Sequence, residues 1–289
     1  MERFDIAIIG TGPAGCEAAL TARARNKNIL FLGNKTLSEK IYKAHLIKNY
    51  LGLPEVSGEA MQKAFLDQLS QNSIEITEDK INAVYAMGDY FALQGQGTNY
   101  EAKSVILACG MSQVHEFQGE LMNLGRGVSY CATCDASLYK GKTALVIGYG
   151  SKEEKEAEFL SEIADKVTYV AMYPDCEINK ENIEVLTKVK PVSIEKGNGQ
   201  MILNLETGKL SANGIFVLRE NVAPSQLVPG LLIEENHVKV DRSLKTNIPG
   251  LFAAGDITGT PYQYIKAAGE GNVAALSAVN YLAEKGVRL

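Results

Sequence analysis

No run of apolar residues in this chain of 289 approaches the ~18 that would cross a bilayer. No secretory leader is visible either, because Met1-Glu2-Arg3 leads straight into a candidate strand. Cysteine is scarce and odd in number, five in all, which excludes the disulfide framework of a small secreted protein. Neither a membrane nor a nucleic-acid partner is expected, and the composition (46% hydrophobic, 22% charged, net charge −5) is that of an ordinary cytoplasmic globular protein. The length suits one large domain or two modest ones, with ample material for a core.

What is present centres on Ser129-Tyr130-Cys131-Ala132-Thr133-Cys134-Asp135. Two thiols separated by two residues can close a tight disulfide. If a short helix starts there, its N-terminal dipole stabilises a thiolate. Asp135 then stands where it could carry the proton that a leaving thiolate needs. Half a zinc site and a pair of core cysteines are the other uses of such a spacing. Zinc would want a second pair of Cys or His at matching spacing, and the chain has none.

Phe4-Asp5-Ile6-Ala7-Ile8-Ile9 reads as a buried parallel strand running into Gly10-Thr11-Gly12-Pro13-Ala14-Gly15 and then a helix. Gly10 permits the tight turn, Gly12 lets a pyrophosphate approach the backbone, and Gly15 lets helix and strand pack closely. The order strand, glycines, helix, second strand (Asn28 to Leu32) makes the pattern specific. The acid usually found after the second strand to hold a ribose is missing. Gly33-Asn34 stands there, leaving Asn34 as the substitute.

From Arg23 to Lys48, seven basic residues (Arg23, Arg25, Lys27, Lys35, Lys40, Lys43, Lys48) face one acid, Glu39, so seven minus one gives +6. Solvated surface explains such a run, and so does a docking face for an acidic partner. Residues 58–72 have helical spacing. Ile74 to Leu107 reads as short strands with turns at Gly88-Asp89 and Gly95-Gln96-Gly97. Cys109 and Cys16 read as small core residues, and Cys176 as a surface residue in Pro174-Asp175-Cys176-Glu177. His45, His115 and His237 are isolated surface or hinge residues.

A second nucleotide-type unit follows: strand Lys142 to Ile147, then Gly148-Tyr149-Gly150-Ser151-Lys152-Glu153, a helix to about Ala164, and a strand from Lys166 to Val170. Its third small residue is replaced by Glu153. Glu153, Glu154 and Glu156 crowd the helix start where a pyrophosphate would sit, and like charges ~4 Å apart repel by ~4 kcal/mol at a protein-like dielectric. No Lys or Arg occurs from Val167 to Asn179 to hold a 2′-phosphate, and no acid ends the strand to hold a ribose. The fold of a dinucleotide site is expected here without its ligand. Residues 190–218 read as strands with a hairpin at Thr207-Gly208. A buried strand then ends on Gly255-Asp256, and Gln263 to Ala283 reads as a long closing helix whose N-terminus could face a cofactor.

Taken together, the first Gly-x-Gly-x-x-Gly, Cys131-Ala132-Thr133-Cys134-Asp135 and Gly255-Asp256 resemble low-molecular-weight thioredoxin reductases. Asn49-Tyr50-Leu51-Gly52, Val56-Ser57-Gly58, Ala108-Cys109-Gly110 and Ala267-Ala268-Gly269-Glu270-Gly271 extend the likeness over nearly the whole chain. The resemblance implies an α/β fold of two Rossmann-like, three-layer ββα domains, the second inserted in the first. The FAD domain would be residues 1–111 and 243–289, and the inserted redox domain residues 112–242. It also implies a homodimer. Cys134 would face the flavin, Cys131 would attack the disulfide of thioredoxin, and Asp135 would be the acid/base. Gly10, Gly12, Pro13, Ala14 and Gly15 would hold FAD phosphates. Asp256 would bond the ribityl chain, with Asn49 beside the flavin and Asn34, Ala83, Gly110, Gly255 and Ile265 as further contacts. Gln263-Tyr264 stands where the family usually has Arg-Gln.

The larger departure is at the NADPH site. Glu153 replaces the family's alanine, and Ala171-Met172-Tyr173 replaces its His-Arg-Arg run. That pattern is similar to the pyridine-nucleotide-independent branch, the ferredoxin-dependent flavin thioredoxin reductases, in which ferredoxin is the electron donor. Lys40, Lys43 and Lys48 would then be its landing site. Three other readings stay open: a flavin dithiol oxidase that hands electrons to oxygen, an NADPH-dependent reductase with a remodelled site, and a non-enzymatic flavin redox sensor.

Overall fold

The computed structural model describes residues 3–111, 117–197, 199–219 and 224–286. The chain forms two compact units, Met1–Met111 with Ala223–Leu289, and Ser112–Val222. By its contacts the chain returns to the first unit at 223, whereas the sequence reading places the return at 243. The segment in between carries only a short helix and a two-stranded hairpin, too small to show a period in the sequence.

The first unit opens with β1 (Phe4–Ile9), α1 (Pro13–Ala24) and β2 (Ile29–Leu32). Pro13 sits at the helix start, where a missing N–H costs nothing. A one-turn helix, α2 (Glu39–Tyr42), and α3 (Gly58–Gln71) follow. Ser57 caps α3 by accepting from Ala60 N at 3.2 Å. Next come β3 (Ile76–Thr77), β4 (Ile81–Ala86), β5 (Phe91–Gly95) and β6 (Asn99–Leu107).

The second unit contains β7 (Val128–Ser129), α4 (Ala132–Asp135), β8 (Thr143–Gly148), α5 (Lys152–Ser161), β9 (Lys166–Ala171) and β10 (Ile183–Thr187). It ends with β11 (Pro191–Lys196), β12 (Met201–Leu205), β13 (Gly208–Ala212) and β14 (Gly214–Leu218). The chain then completes the first unit with α6 (Pro224–Leu227), β15 (Ile233–Glu234), β16 (His237–Val238), β17 (Leu251–Ala253) and α7 (Tyr264–Glu284).

In the first unit β3, β2, β1 and β6 run parallel in that order. The outer edge of the long β6 is shared. Its start pairs antiparallel with β5, in a meander completed by β4, and its end pairs parallel with β17. Helices α1 and α7 cover the parallel layer. Ala14, Ala18, Ala22, Ala267, Ala274, Ala275 and Ala278 let them pack closely over Phe31 and Phe252, all in one buried cluster. Each fully buried phenylalanine contributes roughly 1.5–3 kcal/mol of transfer free energy. A side chain on Gly271 would start 2.1 Å from the Ala14 carbonyl oxygen, so this position accepts only glycine.

The second unit has a five-stranded parallel sheet in the order β10-β9-β8-β14-β7, with β11-β12-β13 as a separate antiparallel sheet. Both units therefore have the parallel βαβ core and antiparallel layer of the Rossmann-like architecture read from the glycine motifs. Parallel strands end together, so the loops after β1 and β17 lie at one edge of the first sheet.

Candidate active site

Cys131 and Cys134 are joined in a disulfide. Cys131 is the N-cap of α4, and Cys134 N donates to its Sγ at 3.1 Å. Ser129 Oγ accepts from Cys131 N at 3.1 Å and lies 3.2 Å from Cys131 O, fixing the approach to the helix. Cys131 is buried, whereas Cys134 is exposed and Asp135 half-buried. A thiolate at Cys131 would keep the Cys134 N–H, a donor aimed at its charge.

One link into this site was read differently from the sequence. Glu156 does not crowd the start of α5. It turns to α4, where its Oε2 accepts from Ala132 N at 3.3 Å. A carboxylate on the first amide of α4 is the partner a helix N-terminus favours, and no local pattern announces it.

In the first unit the glycine loop has the geometry of a pyrophosphate cradle. Gly10 has φ +112°, and a side chain there would start 2.3 Å from Ala108 O. A side chain on Gly15 would start 1.8 Å from Gly10 O. At Gly12 nothing lies within 4 Å of that position, so the uncapped N-terminus of α1 is open to a ligand. The residues present therefore fit a nucleotide cofactor. Asn34, however, is spent locally. Its Oδ1 accepts from Thr36 N at 2.9 Å and from Thr36 Oγ1 at 2.8 Å, as in an Asx turn.

Gly255 meets the same loop, since a side chain on it would start 3.0 Å from the Ala14 Cβ. The Gly255–Gly259 turn that carries Asp256 is held from α7, by Lys266 and Glu270, two residues to which the sequence reading gave no role. Gly255 N donates to Glu270 Oε2 at 2.8 Å, and Lys266 Nζ donates to Gly255 O at 3.0 Å and Gly259 O at 2.8 Å. Their i,i+4 spacing on a helix was the available signal.

Asn49 and Gln263, far apart in sequence, come together with Asn49 Nδ2 donating to Gln263 Oε1 at 2.7 Å. Tyr264 OH donates to Lys40 O at 2.8 Å. Burial, and secondarily the Asp256 carboxylate, push the Tyr264 phenol above its ordinary pKa. Ile265 is exposed on the next position of α7. Gly110 has φ +68° just past β6, beside Cys109, whose Sγ donates to Ile9 O at 3.4 Å. Ala83 lies buried in β4. Desolvation pushes both the Cys16 and the Cys109 thiols up to about 12, although Cys16 is buried in the core and Cys109 only partly covered.

The second unit's glycine loop is built differently. A side chain on Gly150, the counterpart of Gly12, would start 3.0 Å from Glu153 Oε2, and Glu153 itself is buried. Past the end of β9, Tyr173 OH donates to Glu154 Oε1 at 2.6 Å, which also accepts from Glu177 N at 3.2 Å. Tyr169, fully buried, brings its hydroxyl within 3.1 Å of that of Tyr173 and lies under Gly148. Cys176 is half-buried against this cluster rather than on the surface. Below, Arg219 and Glu120 form a buried ion pair, with Arg219 between the rings of Phe117 and Tyr149.

Lys40, Lys43 and Lys48 are exposed but not bare, whereas Lys27 of the same basic run is buried. Lys43 pairs with Glu39 at 2.6 Å, Lys48 with Glu55 at 3.2 Å, and Lys40 Nζ donates to Met111 O at 3.2 Å. His45 is exposed, His237 Nε2 lies 2.7 Å from Tyr262 OH, and His115 lies outside the described residues. Among the described residues no helix is long and apolar enough to cross a membrane, and no three His, Cys, Asp or Glu side chains are placed for a metal.

Comparison with known proteins places these features in context. The profile of the pyridine nucleotide-disulphide oxidoreductases matches residues 4–271. A thioredoxin reductase of Peptoclostridium litorale is 35% identical over 97% of this chain and 98% of its own length. Among solved structures, a ferredoxin-flavin thioredoxin reductase of Clostridium acetobutylicum is 48% identical, with a TM-score of 0.88 and full coverage of both chains. A thioredoxin reductase of Gloeobacter violaceus is 26% identical, with a TM-score of 0.77 over 99% of this chain and 96% of the other.

Proposed function

We propose, from the premise that this chain belongs to the pyridine nucleotide-disulphide oxidoreductase family, that it is an FAD-dependent thioredoxin reductase fed by ferredoxin and independent of pyridine nucleotides. One contrast carries the proposal. The N-terminus of α1 is open at Gly12, whereas the matching glycine in the second unit, Gly150, faces the carboxylate of Glu153. One unit keeps a place for a nucleotide, and the other has filled it with its own side chains. A phosphate entering the second loop would meet Glu153 and Glu154, with no Lys or Arg from Val167 to Asn179 to offset them. The likeness to the Clostridium acetobutylicum enzyme supports the same reading.

Bound flavin would supply the conversion between single electrons and the electron pair that a disulfide takes up. The glycine loop would hold the cofactor's pyrophosphate, the Gly255-Asp256 turn its polyol chain, and Asn49 with Gln263 the edge of its ring system. Reduction of Cys131-Cys134 consumes two electrons and two protons. Asp135, next to Cys134, is the side chain placed to carry one of those protons. Cys131, as the thiolate capped by the Cys134 N–H, attacks the partner's disulfide, and Cys134 then resolves the mixed disulfide, which restores the pair and releases the partner as a dithiol. Cys131 must be uncovered for that attack. We further propose a homodimer, with Lys40, Lys43 and Lys48 guiding the acidic electron donor.

The test is anaerobic stopped-flow of the flavin band with each donor in turn. Reduced ferredoxin should bleach it, and NADPH and NADH should leave it oxidised. Rapid bleaching by micromolar NADPH would overturn the donor assignment, and a colourless protein releasing no FAD would overturn the flavin reading altogether.

A further inference from the structure

The Gly255–Gly259 turn is one short 3-10 turn, closed by Thr258 N to Gly255 O (3.0 Å), Gly259 N to Asp256 O (3.2 Å) and Thr258 Oγ1 to Gly255 O (2.8 Å), with φ +92° and +126° at its two ends. The side chains that reach it from another element come from one face of α7. Lys266 Nζ reaches Gly255 O (3.0 Å), Gly259 O (2.8 Å), Thr258 Oγ1 (3.1 Å) and Glu270 Oε1 (3.1 Å). An ammonium has three protons, so these four oxygens consume its whole donor capacity. Glu270 Oε2 accepts from Gly255 N (2.8 Å) and lies 2.7 Å from Thr258 Oγ1. Both side chains are largely covered, at 20% and 22% exposure, where charge-assisted bonds are stronger than in open water.

The direction of these bonds matters. Lys266 holds the turn by its carbonyls and Glu270 holds it by an amide, so exchanging the two side chains would preserve the ion pair and lose the grip. The pair thus does more than staple one turn of α7 to the next. It sets the position of the segment from Gly255 to Gly259, and with it Asp256, against Ala14 and the opening at Gly12. A cavity of about 440 Å³, lined by Lys266, Glu270, Thr258, Asp241 and Arg242 among others, adjoins the pair, so water is at hand to replace either partner if it is lost.

We propose that Lys266 and Glu270 are positioning residues for the flavin, holding the Gly255–Gly259 turn in the shape that receives the cofactor's polyol chain. The inference rests on the flavin reading above and deepens it. The two can fail separately, because one is tested on the wild-type protein and the other on variants compared with it.

Three variants of the full chain test it: Lys266→Met, Glu270→Gln and the double exchange Lys266→Glu with Glu270→Lys. The readouts are the FAD dissociation constant on reconstituting flavin-stripped protein, the absorption spectrum of the bound flavin, and the melting temperature of the flavin-free protein. Lys266→Met should weaken FAD by at least about tenfold, since several charge-assisted bonds to the turn are lost. Glu270→Gln, which keeps an acceptor, should weaken it less. The double exchange should return the flavin-free melting temperature towards wild type and leave FAD weak, because it restores charge attraction without the donors and acceptors that grip the turn. FAD affinity within twofold of wild type in Lys266→Met, or full recovery of affinity in the double exchange, would overturn the proposal. Should Lys266→Met not fold, the double exchange decides alone. A wild-type protein that binds no flavin would strike the proposed function, and this inference with it.

Discussion

Cys131 and Cys134 differ in ways that spacing alone does not reveal. Cys131 is buried and accepts a hydrogen bond from the other cysteine's amide, while Cys134 is exposed. Cys131→Ser and Cys134→Ser should each abolish thioredoxin reduction with flavin still bound, because one thiol can neither store the electron pair nor resolve a mixed disulfide. Turnover assays beside flavin absorbance check this. Asp135→Asn should slow turnover by roughly 10²-fold if it carries the proton. Cys16 behaves differently. Its thiol, pushed up to about 12 from 9.0 by burial, keeps its proton in the native protein while an unfolded cysteine ionises. Between those values the unfolded chain binds fewer protons, so this residue makes stability fall as pH rises through that window, by about 1.4 kcal/mol per pH unit. Denaturant melts at about pH 8 and about pH 10.5, on either side of the ordinary thiol pKa, should therefore show a smaller loss for Cys16→Ala than for wild type. Equal losses would mean the thiol is not held neutral.

At the scale of elements, the two glycine loops repeat one design with opposite outcomes. Gly12→Ala meets no protein atom and should fold with wild-type stability, yet lose most FAD affinity, because on the proposed reading the added methyl would stand where a cofactor pyrophosphate approaches. Gly15→Ala meets Gly10 O at 1.8 Å, so it should be destabilised in the flavin-free state as well. Comparing melting temperatures of flavin-stripped proteins separates the two effects. Equal flavin affinity in Gly12→Ala would remove this loop from the cofactor site. In the second unit, the Arg219–Glu120 pair ties the end of β14 to the segment that leads into β7 and the redox helix. Arg219→Met should cost about 3–5 kcal/mol by leaving a buried carboxylate uncompensated, whereas Arg219→Met with Glu120→Leu should recover much of it. Chemical denaturation of both variants tests that pattern.

For the whole molecule the charge distribution matters more than net charge. The chain carries −5, yet residues 23–48 carry +6, which favours an approaching acidic protein locally. Glu39, already counted in that sum, pairs with Lys43, and Glu55 from outside the segment neutralises part of the field at Lys48. The effect of salt on the proposed reaction with ferredoxin should therefore be smaller than the bare count of lysines suggests. Charge reversal at Lys40, whose ammonium meets only a carbonyl in the described hydrogen bonds, should slow flavin reduction more than reversal at Lys43. Reduction by dithionite should be unaffected in both. Salt titration of the stopped-flow rate is the measurement, and a rate indifferent to salt and to these substitutions would place the donor elsewhere.

The sequence by itself determined the elements whose cause is local. A glycine loop between strand and helix, a Cys-x-x-Cys before an acid, and a second loop with Glu153 in place of a small residue are legible because steric and electrostatic demands act over a few residues. They were enough for the Rossmann-like class, the redox pair and the expectation of a lost nucleotide site. Tertiary structure decided the rest, because it depends on which side chain the fold brings opposite which. Glu156 turns to Ala132 rather than to its own helix start, and Asn34 is spent on Thr36. Asn49 meets Gln263 across most of the chain, and Lys266 with Glu270 grips a turn that no sequence period connects to them. Hydrogen bonds are short-ranged and directional, so only the folded chain can assign their partners.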